Sequence, residues 1–403
     1  IKVISLEMAV ALHADAQRLN FMSDIFISNT LIRIYGRCGI LKYAEDVFCR
    51  ISNRDNISWN ALLSAYIEHK QGERALLLYR KMEDEKVIPD RLAFVMILQA
   101  CGQLADKEES IIMDGRHVKA TALEVGQLLH LDAQSWSLSS DTIVGDSLIR
   151  MYSRCGTIHL AENVFYALCG QHDVRSWTAM LSAYAEHELG QTALQLYSQI
   201  QREGILPDQH TFVVALYTCG NFAEKEETLL VNDQFMKVVP LEIGLALHAD
   251  ARKKGFESNV FINNTLVSMY GKCGAINHAE DVFTSMACHD EISWNAMLSA
   301  YIDQGEKVLQ LFRQMQTEGF EPDELTYAIA LQACFTLSEM EIMKDTENSK
   351  ATYYEIGQAI YADAKKKGYT SDISINNTLL SMYSKCGSIQ EAEDVFVAMS
   401  QKD

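Results

Sequence analysis

One segment of this chain is written four times. NTLIRIYGRCGILKYAEDVF, at Asn29 to Phe48, returns as DSLIRMYSRCGTIHLAENVF at Asp146 to Phe165, as NTLVSMYGKCGAINHAEDVF at Asn264 to Phe283, and as NTLLSMYSKCGSIQEAEDVF at Asn377 to Phe396. The copies begin 117, 118 and 113 residues apart. Self-similarity of this kind restricts a chain to stacked supersecondary units, because a short unit cannot bury its apolar face alone and must cover its neighbour's.

Two further elements complete the cycle. The first three copies are each followed by a middle element, ISWNALLSAYIEHKQGERALLLYRKM from Ile57, RSWTAMLSAYAEHELGQTALQLYSQI from Arg175 and ISWNAMLSAYIDQGEKVLQLFRQM from Ile292, and each of these leads to Pro-Asp. A longer element then runs to the next cycle, opening on AFVMILQACG, TFVVALYTCG or TYAIALQACF. The expected organisation is a partial long unit at 1–24, cycles of short, middle and long units at 25–141, 142–259 and 260–372, and a final short unit at 373–403.

Each unit reads as two helices. In the middle unit Ile57, Ala61, Leu62, Ala65 and Tyr66 recur at helical spacing, and Ala75, Leu76, Leu78, Tyr79 and Met82 do so again. Gly72, and Gly39, Gly156, Gly274 and Gly387 in the short units, are expected to supply turns where φ is positive. Pro89, Pro207 and Pro322 stand one residue before a unit ends and stop its second helix. No strand signal is read. The expected fold is all-α, a solenoid of tandem helix-turn-helix repeats with one concave surface lined by the first helices. The long units carry charged insertions near 104–123, 222–241 and 337–354, which read either as solvated edge loops or as a docking surface for another protein.

Apolar residues make up 48% and charged residues 22%, with no low-complexity tract, so order is expected nearly throughout. No run of about 18 uncharged apolar residues is present, and no membrane span is expected. The start at Ile1 carries neither an initiator Met nor a signal-like segment, which suggests a processed or truncated chain. A formal charge of −19 argues against a protein that grips nucleic acid over its whole surface, and leaves room for a local basic track.

The residues that invite chemistry mostly read as core. Cys38, Cys155, Cys273 and Cys386 share one repeat position, and Cys101, Cys219 and Cys334 share another. No CxxC pair occurs, so neither zinc nor any other metal or cofactor is expected, and free thiols point to a reducing compartment. His13, His130 and His248 share a position, with Tyr361 in the fourth long unit, as packing residues do. Trp59, Trp177 and Trp294 mark the first helix of the middle units and read as packed side chains, with base stacking as the alternative.

The order of units and phrases such as SWNALLSAY, LIRMYSRCG, AEDVF and the terminal Pro-Asp resemble the pentatricopeptide repeat proteins, in particular the plant-organelle PLS subclass that alternates short, standard-length and long motifs. The resemblance covers ten full units and one partial unit, essentially the whole chain except the insertions. It implies a right-handed superhelix of helical hairpins, single-stranded RNA as partner, and a mitochondrial or chloroplast address.

In that family one base is read per repeat by the fifth and the last residue of the unit. Carried over, this pairs Asn29 with Asp55, Asn60 with Asp90, Asp146 with Asp173, Thr178 with Asp208, Asn264 with Asp290, Asn295 with Asp323, and Asn377 with Asp403. An Asn amide donates and accepts and so suits a pyrimidine edge, a carboxylate only accepts, and the smaller Thr leaves room for a purine. By the family's code, Asn with Asp implies U and Thr with Asp implies G. Asp146 departs from the pattern, and the long units offer only Val95, Val213 and Ala328 at position five. The implied target is U-U-N-N-G-N-U-U-N-U.

Residue two is expected to wedge between bases, a role that suits Phe26, Ile57, Ile143, Phe261 and Ile292, while Arg175 could stack its guanidinium plane and Ser374 fits less well. Position thirteen, which faces phosphate in the family, is basic in the short units (Arg37, Arg154, Lys272, Lys385) and acidic in the middle units (Glu68, Glu186, Asp303). The Asn and Asp positions also read as ordinary helix caps, and both roles can coexist. The deaminase domain that often ends such proteins joins His-x-Glu to Cys-x-x-Cys, and no Cys-x-x-Cys occurs, so that signature is not present in this sequence. No enzymatic activity is therefore expected of this chain. An RNA-editing or processing enzyme acting in trans is the implied protein partner, and the rival reading is a protein-binding helical scaffold.

Overall fold

The structure, a computed structural model, describes residues 2–19, 21–113, 115–168, 170–231, 234–343, 350–369, 373–385 and 389–399. They form two compact units, Ile1–Leu206 and Pro207–Asp403. The first holds α1 (Lys2–Arg18), α2 (Ile25–Cys38), α3 (Leu41–Arg50), α4 (Asn56–Glu68), α5 (Gly72–Asp84), α6 (Arg91–Lys107), β1 (Ile111–Met113), β2 (Arg116–Val118), α7 (Ala120–Ser135), α8 (Thr142–Arg154), α9 (Ile158–Ala167), α10 (Val174–Glu186) and α11 (Gly190–Arg202). The second holds α12 (Gln209–Lys225), β3 (Leu229–Val231), β4 (Gln234–Met236), α13 (Val238–Lys253), α14 (Val260–Lys272), α15 (Ile276–Ser285), α16 (Glu291–Ala300), α17 (Gly305–Thr317), α18 (Glu324–Met343), α19 (Lys350–Lys366), α20 (Ile373–Lys385) and α21 (Ile389–Ala398).

In each unit the first helices of successive hairpins pack on one another, α2 on α4 and onward to α10, and α12 on α14 and onward to α20. Each second helix covers its own partner. This is the solenoid pattern, and the repeated phrases are its joints. The Phe of AEDVF meets the Trp of the following middle unit edge to face, at 4.9 Å for Phe48 and Trp59, 5.0 Å for Phe165 and Trp177, and 5.1 Å for Phe283 and Trp294. The Glu of the same phrase accepts a hydrogen bond from the Tyr of SAY: Tyr66 to Glu45, Tyr184 to Glu162 and Tyr301 to Glu280. His13, His130 and His248 each share a 2.9 Å hydrogen bond with the short unit's Tyr35, Tyr152 and Tyr270. All three Trp side chains are buried, so the packing reading holds for them. Cys101, Cys155, Cys219, Cys273 and Cys334 are buried too, and Cys38 is half-buried; Cys386 lies outside the described residues.

Two expectations need correction. The first is that no strand was expected: the insertions near 104–123 and 222–241 each hold a two-stranded hairpin. β1 pairs antiparallel with β2 (Ile111 opposite Val118), and β3 with β4 (Leu229 opposite Met236). Between the strands of the first hairpin Gly115 has φ +74°, and the sequence there reads Asp-Gly, a two-residue hairpin signal. The insertion is also seated on the next short unit: Lys119 N–H donates to Cys155 O at 3.0 Å, and Lys237 N–H to Cys273 O at 3.0 Å. Glu108 accepts from the N–H groups of Thr121 and Ala122, closing the start of α7.

The second correction concerns Gly72. Positive φ occurs at Gly39, Gly156 and Gly274 as expected, but in the first two middle units it falls on Lys70 and Glu188, not on the glycine. Gly72 opens α5, where a Cβ would lie 2.5 Å from Ala100 O of α6. Close helix approach, not turn geometry, requires a glycine there. Gly387 lies outside the described residues.

Candidate nucleic-acid interface

The last residue of a unit caps the first helix of the next. Asp55 accepts from Ser58 N–H, Asp90 from Ala93 N–H, Asp173 from Arg175 and Ser176 N–H, Asp208 from Thr211 N–H, Asp290 from Ser293 N–H and Asp323 from Thr326 N–H. The cap role weighed from sequence is therefore real, and it positions a second contact. The fifth residue of the preceding unit donates its amide to the same carboxylate: Asn29 Nδ2 to Asp55 at 3.2 Å, Asn60 to Asp90 at 3.0 Å, Asn264 to Asp290 at 3.0 Å, and Asn295 to Asp323 at 2.9 Å.

The pairs differ in what remains unused. Ser293 and Thr326 hydroxyls lie 2.7 Å from Asn264 Oδ1 and Asn295 Oδ1, whereas Asn29 Oδ1 and Asn60 Oδ1 are buried without a partner. Burial pushes the Asp55 and Asp290 carboxyls up, but the serine N–H and hydroxyl and the Asn amide outweigh it and hold both below the usual range. The pairs of Asn29 with Asp55 and Asn264 with Asp290 are thus each an ionised acceptor beside a neutral amide with one N–H in use.

Asp146 sits differently. It is only 7% exposed, and Oδ1 has no hydrogen-bond partner. Burial, then the facing Asp173 carboxylate, push it above the usual Asp range, against the Ser176 hydroxyl and the charges of Arg150 and Arg175. Thr178 is buried on α10, with its hydroxyl donating to Val174 O. Asn377 is exposed on α20, while Asp403 and the side chains of Ser374 and Lys385 lie outside what the structure describes.

Position two lies three residues before each reading position, on the same side of the helix. Phe26 is 78% exposed, and Ile57, Phe261 and Ile292 are more than half exposed, whereas Ile143 is half-buried. Arg175 is exposed and folds back, Nε donating to Asp173 at 3.3 Å. Leu92 and Leu325, the same position in two long units, are also more than half exposed and were not singled out in the sequence. The signal was available: each follows two residues after a capping Asp.

The basic positions are less free than their spacing implied. Arg37 is exposed and forms no ion pair among the described residues. It lines a concavity of about 250 Å³ with Arg33, Asn60, Ser64, Glu68 and Leu92. Arg154 instead pairs with Asp106 at 3.2 Å, and Lys272 with Glu224 at 3.0 Å, with Asn221 accepting a further bond at 2.9 Å. No helix among the described residues is long and apolar enough to cross a membrane.

Family profiles described as the PPR repeat family match residues 54–103, 172–221 and 289–336, and PPR repeat profiles match 26–55, 264–290 and 377–403. Similar curated proteins include a chloroplastic pentatricopeptide repeat-containing protein of Arabidopsis thaliana, 29% identical over 95% of this chain and 55% of its own length. A mitochondrial one from the same plant is 30% identical over 77% of this chain and 33% of its own length. The chain spans about half the length of such relatives or less. Among solved structures, the pentatricopeptide repeat protein PPR10 from maize is similar at 19% identity and a TM-score of 0.45, covering 97% of this chain and 60% of that one.

Proposed function

Because this chain belongs to the pentatricopeptide repeat family, we propose that it binds single-stranded RNA along its first helices, one base to each Asn/Asp or Thr/Asp pair. The observation that carries the reading is the recurrence of one arrangement: an Asn amide fixed on the next helix's capping Asp, with an exposed apolar side chain three residues upstream, in the repeats of Asn29, Asn60, Asn264 and Asn295. A cap alone does not call for the Asn, and a core does not call for the exposed Phe26 and Phe261. The alternation of short, middle and long units favours the PLS subclass, and the chloroplastic and mitochondrial names of relatives favour an organellar address. The chemistry, C-to-U editing or another processing step, then comes from a further domain or from an enzyme in trans.

Fluorescence anisotropy with U-U-N-N-G-N-U-U-N-U and a scrambled RNA tests this. The expected result is selective binding of the first, and for Asn264→Thr a shift of about tenfold from U toward a purine at the seventh base, the size of one hydrogen bond's worth of discrimination. Equal affinity for both RNAs removes the reading. The acidic balance favours the scaffold alternative, as does the exposed edge Ile111, Ile112 and Met113, and binding to no RNA at low salt would turn the reading to it.

The ion pairs make a further prediction. Freed of Asp106 and Glu224, Arg154 and Lys272 become available to phosphate. The double substitution Asp106→Asn, Glu224→Gln is expected to raise low-salt affinity about threefold, the scale of two exposed ion pairs. The slope of log K against log salt should steepen by up to about 0.7 per phosphate gained. An unchanged slope would mean that these cations do not face the RNA.

A further inference from the structure

The repeat of Asp146 departs from its counterparts at three places at once. Asp stands where Asn29 and Asn264 stand, Ile143 where Phe26 and Phe261 stand, and Arg175 where Ile57 and Ile292 stand. The first change removes the only N–H donor of the reading pair. Asn29 and Asn264 each give one N–H to the capping Asp and keep a second for a base, but Asp146 and Asp173 present acceptors alone. Asp146 Oδ1 is buried with no hydrogen-bond partner, as Asn29 Oδ1 is, so what sets this repeat apart is the loss of the donor.

The other two changes fit the first. Ile143 is smaller than Phe and half-buried, so less apolar surface projects here than at Phe26 and Phe261. Arg175 gives Nε to Asp173 and so balances one carboxylate, and its guanidinium offers a flat, cationic face to a base.

We propose that the pair Asp146 and Asp173 is a guanine-selecting site, in which the two adjacent donors of guanine, N1–H and N2–H, meet the acceptor-only carboxylates while Arg175 covers the base. This rests on the RNA-binding reading and goes beyond it, because the family's code leaves this base unassigned. Uracil is disfavoured, since its O2 and O4 flank a single N3–H and would face carboxylate oxygens. Guanine alone brings two neighbouring N–H donors on the edge that would be read. Hydrogen bonds to an ionised carboxylate are the strong kind.

The site is also expected to respond to pH in a direction a merely structural residue would not produce. The charged groups facing Asp146 are Asp173 at the start of α10, Arg175 on α10 and Arg150 on its own helix, and the Ser176 hydroxyl, which donates to Asp173, also lies on this side. Burial favours the protonated form. Protonated, Asp146 carries one donor and one acceptor, as an Asn amide does, and the preference for guanine weakens.

The test is anisotropy with the target RNA carrying G or U at the fourth base, for the unaltered protein, Asp146→Asn and, as a control elsewhere, Asn264→Thr. The expected result is about tenfold preference for G at about pH 8, shrinking toward pH 5, and reversal to U in Asp146→Asn, whose thermal melt verifies that it folds. If the unaltered protein prefers U or is indifferent at the fourth base while Asn264→Thr still shifts the seventh, this inference is wrong and the RNA reading stands. If no RNA binds, both fall.

Discussion

Trp294→Ala is expected to lower the stability of its unit by about 3–5 kcal/mol, the range for removing a large aromatic side chain from a core. The side chain is fully buried, packs edge to face on Phe283, and lies beside His289 and Phe320. The informative comparison is Trp294→Phe. Nε1 of Trp294 has no hydrogen-bond partner, and the same holds for Trp59 and Trp177. The indole N–H is thus a buried donor left unsatisfied, and deleting it relieves a desolvation cost that partly offsets the lost packing. Trp294→Phe should therefore cost only about 1–2 kcal/mol, read as the shift in urea midpoint at constant slope. Equal losses for the two variants would mean that the indole nitrogen has a partner and that the middle unit's Trp is retained for that bond.

The second large effect separates two glycines that look equivalent in sequence. Gly39 and Gly156 both close a short-unit helix in the left-handed region, with φ +81° and +83°. A Cβ on Gly39 would meet the His69 ring at 3.2 Å, and a side chain can give way. A Cβ on Gly156 would lie 2.1 Å from His117 O, backbone of the β-hairpin seated there. Gly39→Ala should cost about 1 kcal/mol for the left-handed backbone alone. Gly156→Ala adds overpacking against main chain, about 2 kcal/mol more, and should push the hairpin off its seat. Hydrogen exchange at Lys119 N–H, bonded to Cys155 O, reports that displacement directly. If Lys119 stays as protected in Gly156→Ala as in Gly39→Ala, the hairpin is not held by this contact.

Sequence periodicity made most of the scaffold legible. Capping Asp residues, the Pro before each boundary, and recurrent Trp, His and Cys positions fix where helices start and stop and which side chains are buried, because these depend on residues near in sequence or one repeat away. What escaped depends on longer or weaker signals. Strands of three residues give no alternation to count, and the Asp-Gly pair in the sequence between β1 and β2 was a cue available. The glycine at 72 was assigned to the wrong cause, since its demand comes from Ala100 on another helix. Arg154 and Lys272 kept their expected positions but not their freedom, because Asp106 and Glu224 stand 48 residues upstream of them in the insertion-bearing units.

The capping Asp that also receives an Asn amide has a consequence for how such chains can be recombined. Cut after Asp55, a module carries off the carboxylate that starts α4; cut before it, Asn29 loses its anchor. A graft made at the repeat border therefore leaves intact parts and a broken joint unless the incoming neighbour also begins with a helix start able to accept that Asp, as Ser58, Ser293 and Thr326 do. Shuffling by gene duplication meets the same constraint, and crossovers inside the second helices, away from the shared residue, are the ones expected to preserve both neighbours.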